Sequence, residues 1–287
     1  MCRLALHSGG FVQQGEGKTF IFCAGQNQIE KKGRYIMIAL ITGASSGIGK
    51  ALACTLGEKG YDLILVARRR APMETLKKTL KTKVDIYAFD LAKEENVYAL
   101  YEKTKDKNID LLVNNAGFGL FGDTDETALS RELEMLDLNI RALHILTKLF
   151  LKDFVERGSG QILNVASTAG FFAGPGLNTY YATKNYVLRF TTAIYEELRR
   201  KKSNVQIGVL CPGPVETEFN QVAGGRFFMR GLCAKQVAEY AVRQMEKKKL
   251  LIIPGIGNKL CIFAARFAPY RLMLRMVYHI QRKKQTC

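Results

Sequence analysis

The chain has 287 residues, enough for one large α/β domain and too few for two full ones. Its 47% hydrophobic and 24% charged residues, with no Pro-rich, Gly/Ser-rich or repeated stretch, exclude a disordered, fibrous or solenoid protein. A net charge of +17 favours anionic partners, but seven Lys or Arg and no acid lie between Gly255 and Cys287, so much of the excess belongs to the last segment.

Residues 1–36 lack hydrophobic periodicity and are expected to form a poorly structured N-terminal extension. Gly17-Lys18-Thr19 would need a glycine where Val12 stands to make a phosphate loop, so no such loop is assigned. Met37 opens the first apolar run, and Gly33-Arg34 could be encoded by a purine-rich ribosome-binding sequence, which makes Met37 an expected alternative start that N-terminal sequencing would test. Seven cysteines at wide intervals and three scattered histidines give neither a metal site nor a disulfide framework; with no secretory leader in view, they predict reduced thiols in a cytoplasmic protein.

From Ile36 onward, strand-like runs at Ile38–Ile41, Leu63–Val66, Val84–Phe89, Leu111–Val113, Gln161–Val165, Val205–Leu210 and Leu250–Ile253 alternate with amphipathic helical stretches. The alternation predicts a doubly wound parallel sheet of about seven strands, buried on both faces, within a catalytic domain spanning 37–255. Right-handed crossovers would place a ligand crevice at the carboxyl ends of the strands, where the winding reverses.

Directly after the first run comes Thr42-Gly43-Ala44-Ser45-Ser46-Gly47-Ile48-Gly49, leading into a helix near Lys50. Glycines there let the backbone approach a pyrophosphate, and the helix's unpaired amides and positive end receive its charge. At the end of the second run stands Ala67-Arg68-Arg69, where a carboxylate would suit an unphosphorylated ribose. Arg68, with Ser45 or Arg69, instead suits a 2′-phosphate, favouring NADP(H) over NAD(H). Tyr180 and Lys184 lie four apart at the start of a long helix, Asn178 to Arg200, and share one face.

The Gly-x-x-x-Gly-x-Gly spacing, Asn114-Asn115-Ala116-Gly117, Asn139, Ser167, Tyr180-x-x-x-Lys184 and Pro212-Gly213-Pro214-Val215-Glu216-Thr217, in this order, resemble the short-chain dehydrogenase/reductase family over Met37 to about Thr217. The resemblance implies a Rossmann fold and carbonyl–alcohol interconversion by hydride transfer. It implies cofactor contacts at Gly43, Ser45, Ser46, Gly47, Ile48, Gly49, Arg68, Asp90, Leu91, Asn115, Ala116, Gly117, Tyr180, Lys184, Pro212, Gly213, Val215 and Thr217. Tyr180 would exchange the proton, Ser167 would hydrogen-bond the same oxygen, Lys184 would bind the ribose and lower the tyrosine's pKa, and Asn139 would hold a water leading from lysine to solvent. Tyr181 is discounted, because its matching partner would be Asn185. Family members often form dimers or tetramers, so a homo-oligomer is implied.

Phe118, Phe121, Phe171, Phe172, Phe219, Phe227 and Phe228 are expected in or beside loops near the crevice, with Thr217 to Met229 as a lid, which suits an apolar or lipid-like carbonyl or alcohol substrate. Two other readings stay open: an epimerase- or dehydratase-like enzyme on a nucleotide sugar, and a membrane-associated NADP(H) sensor without turnover. Nucleic-acid binding lacks any recognition motif. Residues 256–287 mix apolar clusters with Arg266, Arg271, Arg275 and Arg282-Lys283-Lys284, without the roughly 20-residue apolar run of a spanning helix. That pattern suits peripheral contact with a membrane interface, or equally a segment packed over the cleft or on a neighbouring subunit.

Overall fold

The computed structural model describes residues 36–219 and 231–285. Its main sheet contains β1 (Ile38–Thr42), β2 (Asp62–Ala67), β3 (Val84–Ala88), β4 (Leu111–Asn114), β5 (Gln161–Val165), β6 (Gln206–Leu210) and β9 (Leu251–Ile252). All pairings are parallel, in the order β3-β2-β1-β4-β5-β6-β9. The seven expected strands are therefore present, each within about two residues of its predicted bounds. Two further strands, β7 (Val215–Glu216) and β8 (Leu232–Cys233), pair outside this sheet.

The helices are α1 (Gly47–Glu58), α2 (Arg70–Thr79), α3 (Glu94–Thr104), α4 (Leu129–Leu136), α5 (Leu143–Arg157), α6 (Asn178–Arg200), α7 (Ala234–Glu246), α8 (Ile256–Ala265) and α9 (Tyr270–Gln285). Side chains alternate across the sheet with period two, which is why the strands read as unbroken apolar runs. Ala39, Ile41, Leu63, Leu65 and Val113 face a core shared with Leu52 and Leu56 of α1 and Val237 and Ala241 of α7. Leu40, Ile64, Val66 and Leu112 point the other way, against Leu100 of α3, Phe150 and Phe154 of α5, and Leu198 of α6. The chain winds from β1 to β2 and β3 on one side and from β4 outward on the other, which opens a crevice at the carboxyl ends of β1 and β4.

A polar chain crosses this apolar interior. Asn114 donates to Thr147 Oγ1 (3.0 Å) and Asn164 Oδ1 (2.9 Å), and Asn164 donates to Thr191 Oγ1 (3.0 Å), joining β4, β5, α5 and α6 beneath the crevice. All four residues are buried. Buried amides are costly unless their partners are all present. Asn164→Leu should therefore lower unfolding stability by about 1–3 kcal/mol, because it leaves one N–H of Asn114 without its acceptor and Thr191 with only its bond to the Val187 carbonyl. Urea unfolding checks this, and a loss under about 1 kcal/mol would remove the network from the list of structural supports.

The N-terminal extension lies outside the described residues, as do the expected lid beyond Phe219 and with it Phe227 and Phe228. The last segment forms two helices separated near Pro269. Proline removes a backbone donor and disfavours helix in the residue before it, so the chain bends there.

Candidate active site

A cavity of about 510 Å³ occupies the crevice. At one end, β1 passes through Gly43 to Ser46 into α1. Gly43 has φ +67°, and a Cβ there would lie 2.7 Å from Asn115 Nδ2, so only glycine fits the turn. A side chain at Gly49 would overlap the Gly43 carbonyl, which keeps the first turn of α1 close against the strand. Gly49 accordingly packs behind the loop and does not line the cavity, whereas Gly43, Ser45, Ser46, Gly47 and Ile48 do. Ser46 is the extended N-cap residue, its side chain makes no capping bond, and the first turn of α1 holds no acid. The positive end of α1 thus faces the cavity with no acid in its own first turn, which fits a diphosphate.

Asn115 plays a part the sequence did not reveal. Its amide donates to the carbonyls of Thr42 (3.0 Å) and Gly43 (3.2 Å), while Thr42 Oγ1 accepts from the backbone N–H of Asn115 (2.9 Å) and Ala116 (3.0 Å). Together Thr42 and Asn115 latch the ends of β1 and β4 and fix the glycine turn. Asn115, Ala116 and Gly117 also line the cavity.

At the end of β2, Arg68 and Arg69 border the cavity, with no carboxylate at 67–69. Arg68 pairs with Glu134 at 3.2 Å and Arg69 with Glu218 at 2.7 Å, both arginines being half exposed. Such surface pairs are worth about 0–1 kcal/mol, less than a charge-assisted bond to phosphate, so the arginines can exchange partners. Asp90 and Leu91 line the wall after β3, where Asp90 Oδ1 accepts from the N–H of Ala92 (3.2 Å).

Ser167, Tyr180 and Lys184 converge at the other end. Ser167 follows β5; its hydroxyl caps the short turn Thr168–Phe171 by accepting from Ala169 N–H (3.1 Å) and donates to the Pro212 carbonyl (3.3 Å). Lys184 is buried, donates to the Val165 carbonyl at 3.0 Å, and places Nζ 5.8 Å from the centre of the Tyr180 ring. Burial lowers its pKa to about 8. Burial also pushes the Tyr180 phenol well above its usual range, a hydrogen bond with Ser167 partly offsetting it and Tyr181 adding to it. The expected lowering by the lysine is thus absent from this arrangement, because desolvation dominates and Lys184 is turned toward a carbonyl.

Asn139 is buried. It sits on a π-helical turn, Asp137–Ala142, between α4 and α5, and does not line the cavity. Its amide donates to the Phe118 carbonyl (2.9 Å) and Thr183 Oγ1 (3.1 Å), and its oxygen accepts from Phe118 N–H (3.0 Å). With both N–H groups used internally, the side chain ties the 117–118 backbone to α6.

Of the expected aromatic residues, Phe118 and Phe219 line the cavity, while Phe171 packs into a core with Leu143 and Val187. Pro212, Gly213, Val215 and Thr217 complete the wall. Two further residues were missed. Tyr181 also lines the cavity and accepts a hydrogen bond from Gln281 of α9, which is 97% buried at 3% relative exposure. Arg282 bonds Asp123 at 3.2 Å beside it. The last helix therefore forms part of the cleft wall, as one of the two readings of the segment expected.

The family model described as short chain dehydrogenase matches residues 37–224. The chain is similar to the NADP-dependent 3-hydroxy acid dehydrogenase YdfG of Salmonella typhi, with 35% identity over 192 residues, covering 65% of this chain and 76% of that protein. It also resembles the Hydroxysteroid dehydrogenase-like protein 1 of Gallus gallus, at 34% identity over 180 residues and 60% of this chain, and spans about half of that protein's length, 54%. Among solved structures, a short-chain dehydrogenase from Sphingobium yanoikuyae in complex with NADPH superposes with a TM-score of 0.74 at 27% identity, over 80% of this chain and 94% of that one.

Proposed function

The chain belongs to the short-chain dehydrogenase/reductase family, and on that premise we propose that it interconverts a carbonyl and an alcohol by hydride transfer, using NADP(H) in preference to NAD(H). The observation that carries this reading is the meeting of Ser167, Tyr180 and Lys184 at one end of a cleft whose other end holds the glycine turn and Arg68. Gly43 and Ser45 to Ile48 would hold the diphosphate, Arg68 the 2′-phosphate, and Asp90 with Leu91 the adenine. Asn115 to Gly117 and the Pro212–Thr217 wall would hold the remainder. Bound there, the dinucleotide supplies or accepts the hydride.

Tyr180 donates the proton to the carbonyl oxygen in reduction and takes it back in oxidation. Holding its proton at neutral pH, the phenol is in the form that a general acid for the reduction requires. Ser167 holds the substrate oxygen within reach of the phenol and stabilises charge that develops on it. Lys184, titrating near 8, supplies a cation beside the phenolate as the proton leaves. Phe118 and Phe219 support an apolar substrate.

A panel of ketones and aldehydes, assayed in parallel with NADPH and NADH, tests this. NADPH should be consumed faster than NADH. Arg68→Ala should lower kcat/KM for NADPH by about tenfold to a hundredfold, the worth of a charge-assisted hydrogen bond, and leave the value for NADH nearly unchanged. Equal losses with both nucleotides would remove Arg68 from phosphate recognition; no carbonyl reduced with either would reject the reaction.

A further inference from the structure

We infer that α8 and α9 form a docking face for an anionic phospholipid surface beside the mouth of the cleft. Ile256, Leu260, Phe263 and Phe267 recur at intervals of four, three and four, so they follow one side of α8 and its exit. Their relative exposures are 76%, 62%, 60% and 75%, and on α9 Met276 and Ile280 stand at 54% and 50%. Nine of the 16 large apolar side chains exposed among the described residues fall between Ile256 and Ile280. Single exposed apolar residues need no account, but a concentration on two adjacent helices marks an interaction face.

The inner sides of the same helices are fixed. Ile262 is buried, Asn258 donates to the Pro254 carbonyl at 2.7 Å, Gln281 reaches Tyr181, and Arg282 meets Asp123. The outward apolar face is therefore what remains after the helices have packed, and it is held in place beside the cleft.

Charge selects the occupant. Arg266, Arg271 and Arg275 are exposed and form no ion pair among the described residues, and no acid occurs from Gly255 to Cys287. Elsewhere among the described residues most arginines are paired, as when Arg199 and Arg200 share Glu196. A second copy of the chain seated on this face would set its unpaired cations opposite their own like, at an electrostatic cost. Anionic head groups would neutralise them while the apolar residues enter the acyl boundary. No helix among the described residues is long and apolar enough to cross a membrane, so the face lies on the bilayer.

Co-sedimentation of the full chain with vesicles of phosphatidylcholine, with and without about 30 mol % phosphatidylserine, tests this without reading turnover. Binding should be strong only with phosphatidylserine and should weaken in about 0.5 M salt. Arg271→Gln/Arg275→Gln should weaken it by about thirtyfold, each arginine near an anionic surface contributing about fivefold. Phe263→Ser/Phe267→Ser should weaken it further while the thermal melt stays at the parent value, since all four side chains are exposed. Equal binding to both vesicle types, no binding to either, or charge variants that bind like the parent would overturn the inference. So would a dimer in solution that Phe263→Ser/Phe267→Ser converts to monomer.

Discussion

Tyr180→Phe should leave a folded protein that still binds NADPH but turns over a carbonyl substrate about 10³-fold more slowly, within the usual worth of a positioned general acid. The ring itself is retained by the substitution, so its contact with Phe219, at 5.3 Å between centroids, persists. Ser167 keeps the Pro212 carbonyl and the Ala169 N–H as partners, so no buried hydroxyl is orphaned and stability should move by less than about 1 kcal/mol. What is lost is the proton that Tyr180 is proposed to pass to the substrate oxygen. The measurement pairs NADPH fluorescence titration with steady-state rates; turnover within about tenfold of the parent would displace Tyr180 from the proton-donating position.

Lys184→Met should move activity and stability in opposite directions. Turnover should fall by about 10²–10³-fold, because the phenolate left by proton transfer would have no cation beside it. Stability of the cofactor-free protein at neutral pH should instead rise by about 1–2 kcal/mol. Folding moves the lysine's pKa from 10.5 to about 8, and each unit costs about 1.4 kcal/mol, from which the lost bond to Val165 must be subtracted. The sign follows from the protonation states. Below about 8 the lysine is charged in both folded and unfolded chains, so the whole burial penalty applies. Between 8 and 10.5 the unfolded chain binds the extra proton, the parent gains stability as pH rises, and the advantage of the variant fades. Denaturant unfolding at neutral pH and at about pH 10 measures the difference; a variant less stable than the parent at neutral pH would show that the lysine is not held at a cost.

The strands were legible because burial on both faces leaves a continuous apolar run, which few other contexts produce. The glycine turn was legible because Gly43 and Gly49 are required by a positive φ and a close approach that no other side chain permits. Ser167, Tyr180 and Lys184 were legible through ordered spacing, and they do come together at one end of the cavity. Their electrostatics were not, since a chain without coordinates carries no burial, and burial is the largest influence on the Tyr180 phenol. Asn139 was found, but the inward bonds of its amide to Phe118 and Thr183 could not be read from spacing. Gln281 went unseen for a different reason. It lies 100 positions from Tyr181, and nothing in local periodicity tells which residue of a basic, apolar helix will point at a distant cleft.

The family match ends at residue 224, whereas the wall carrying Gln281 belongs to a helix that begins at Tyr270. The residues proposed for proton transfer and the Gln281 side of the cleft thus lie in separate stretches of polypeptide. Exchanging the terminal helices of two such proteins should alter that side of the cleft and leave Ser167, Tyr180 and Lys184 where they are.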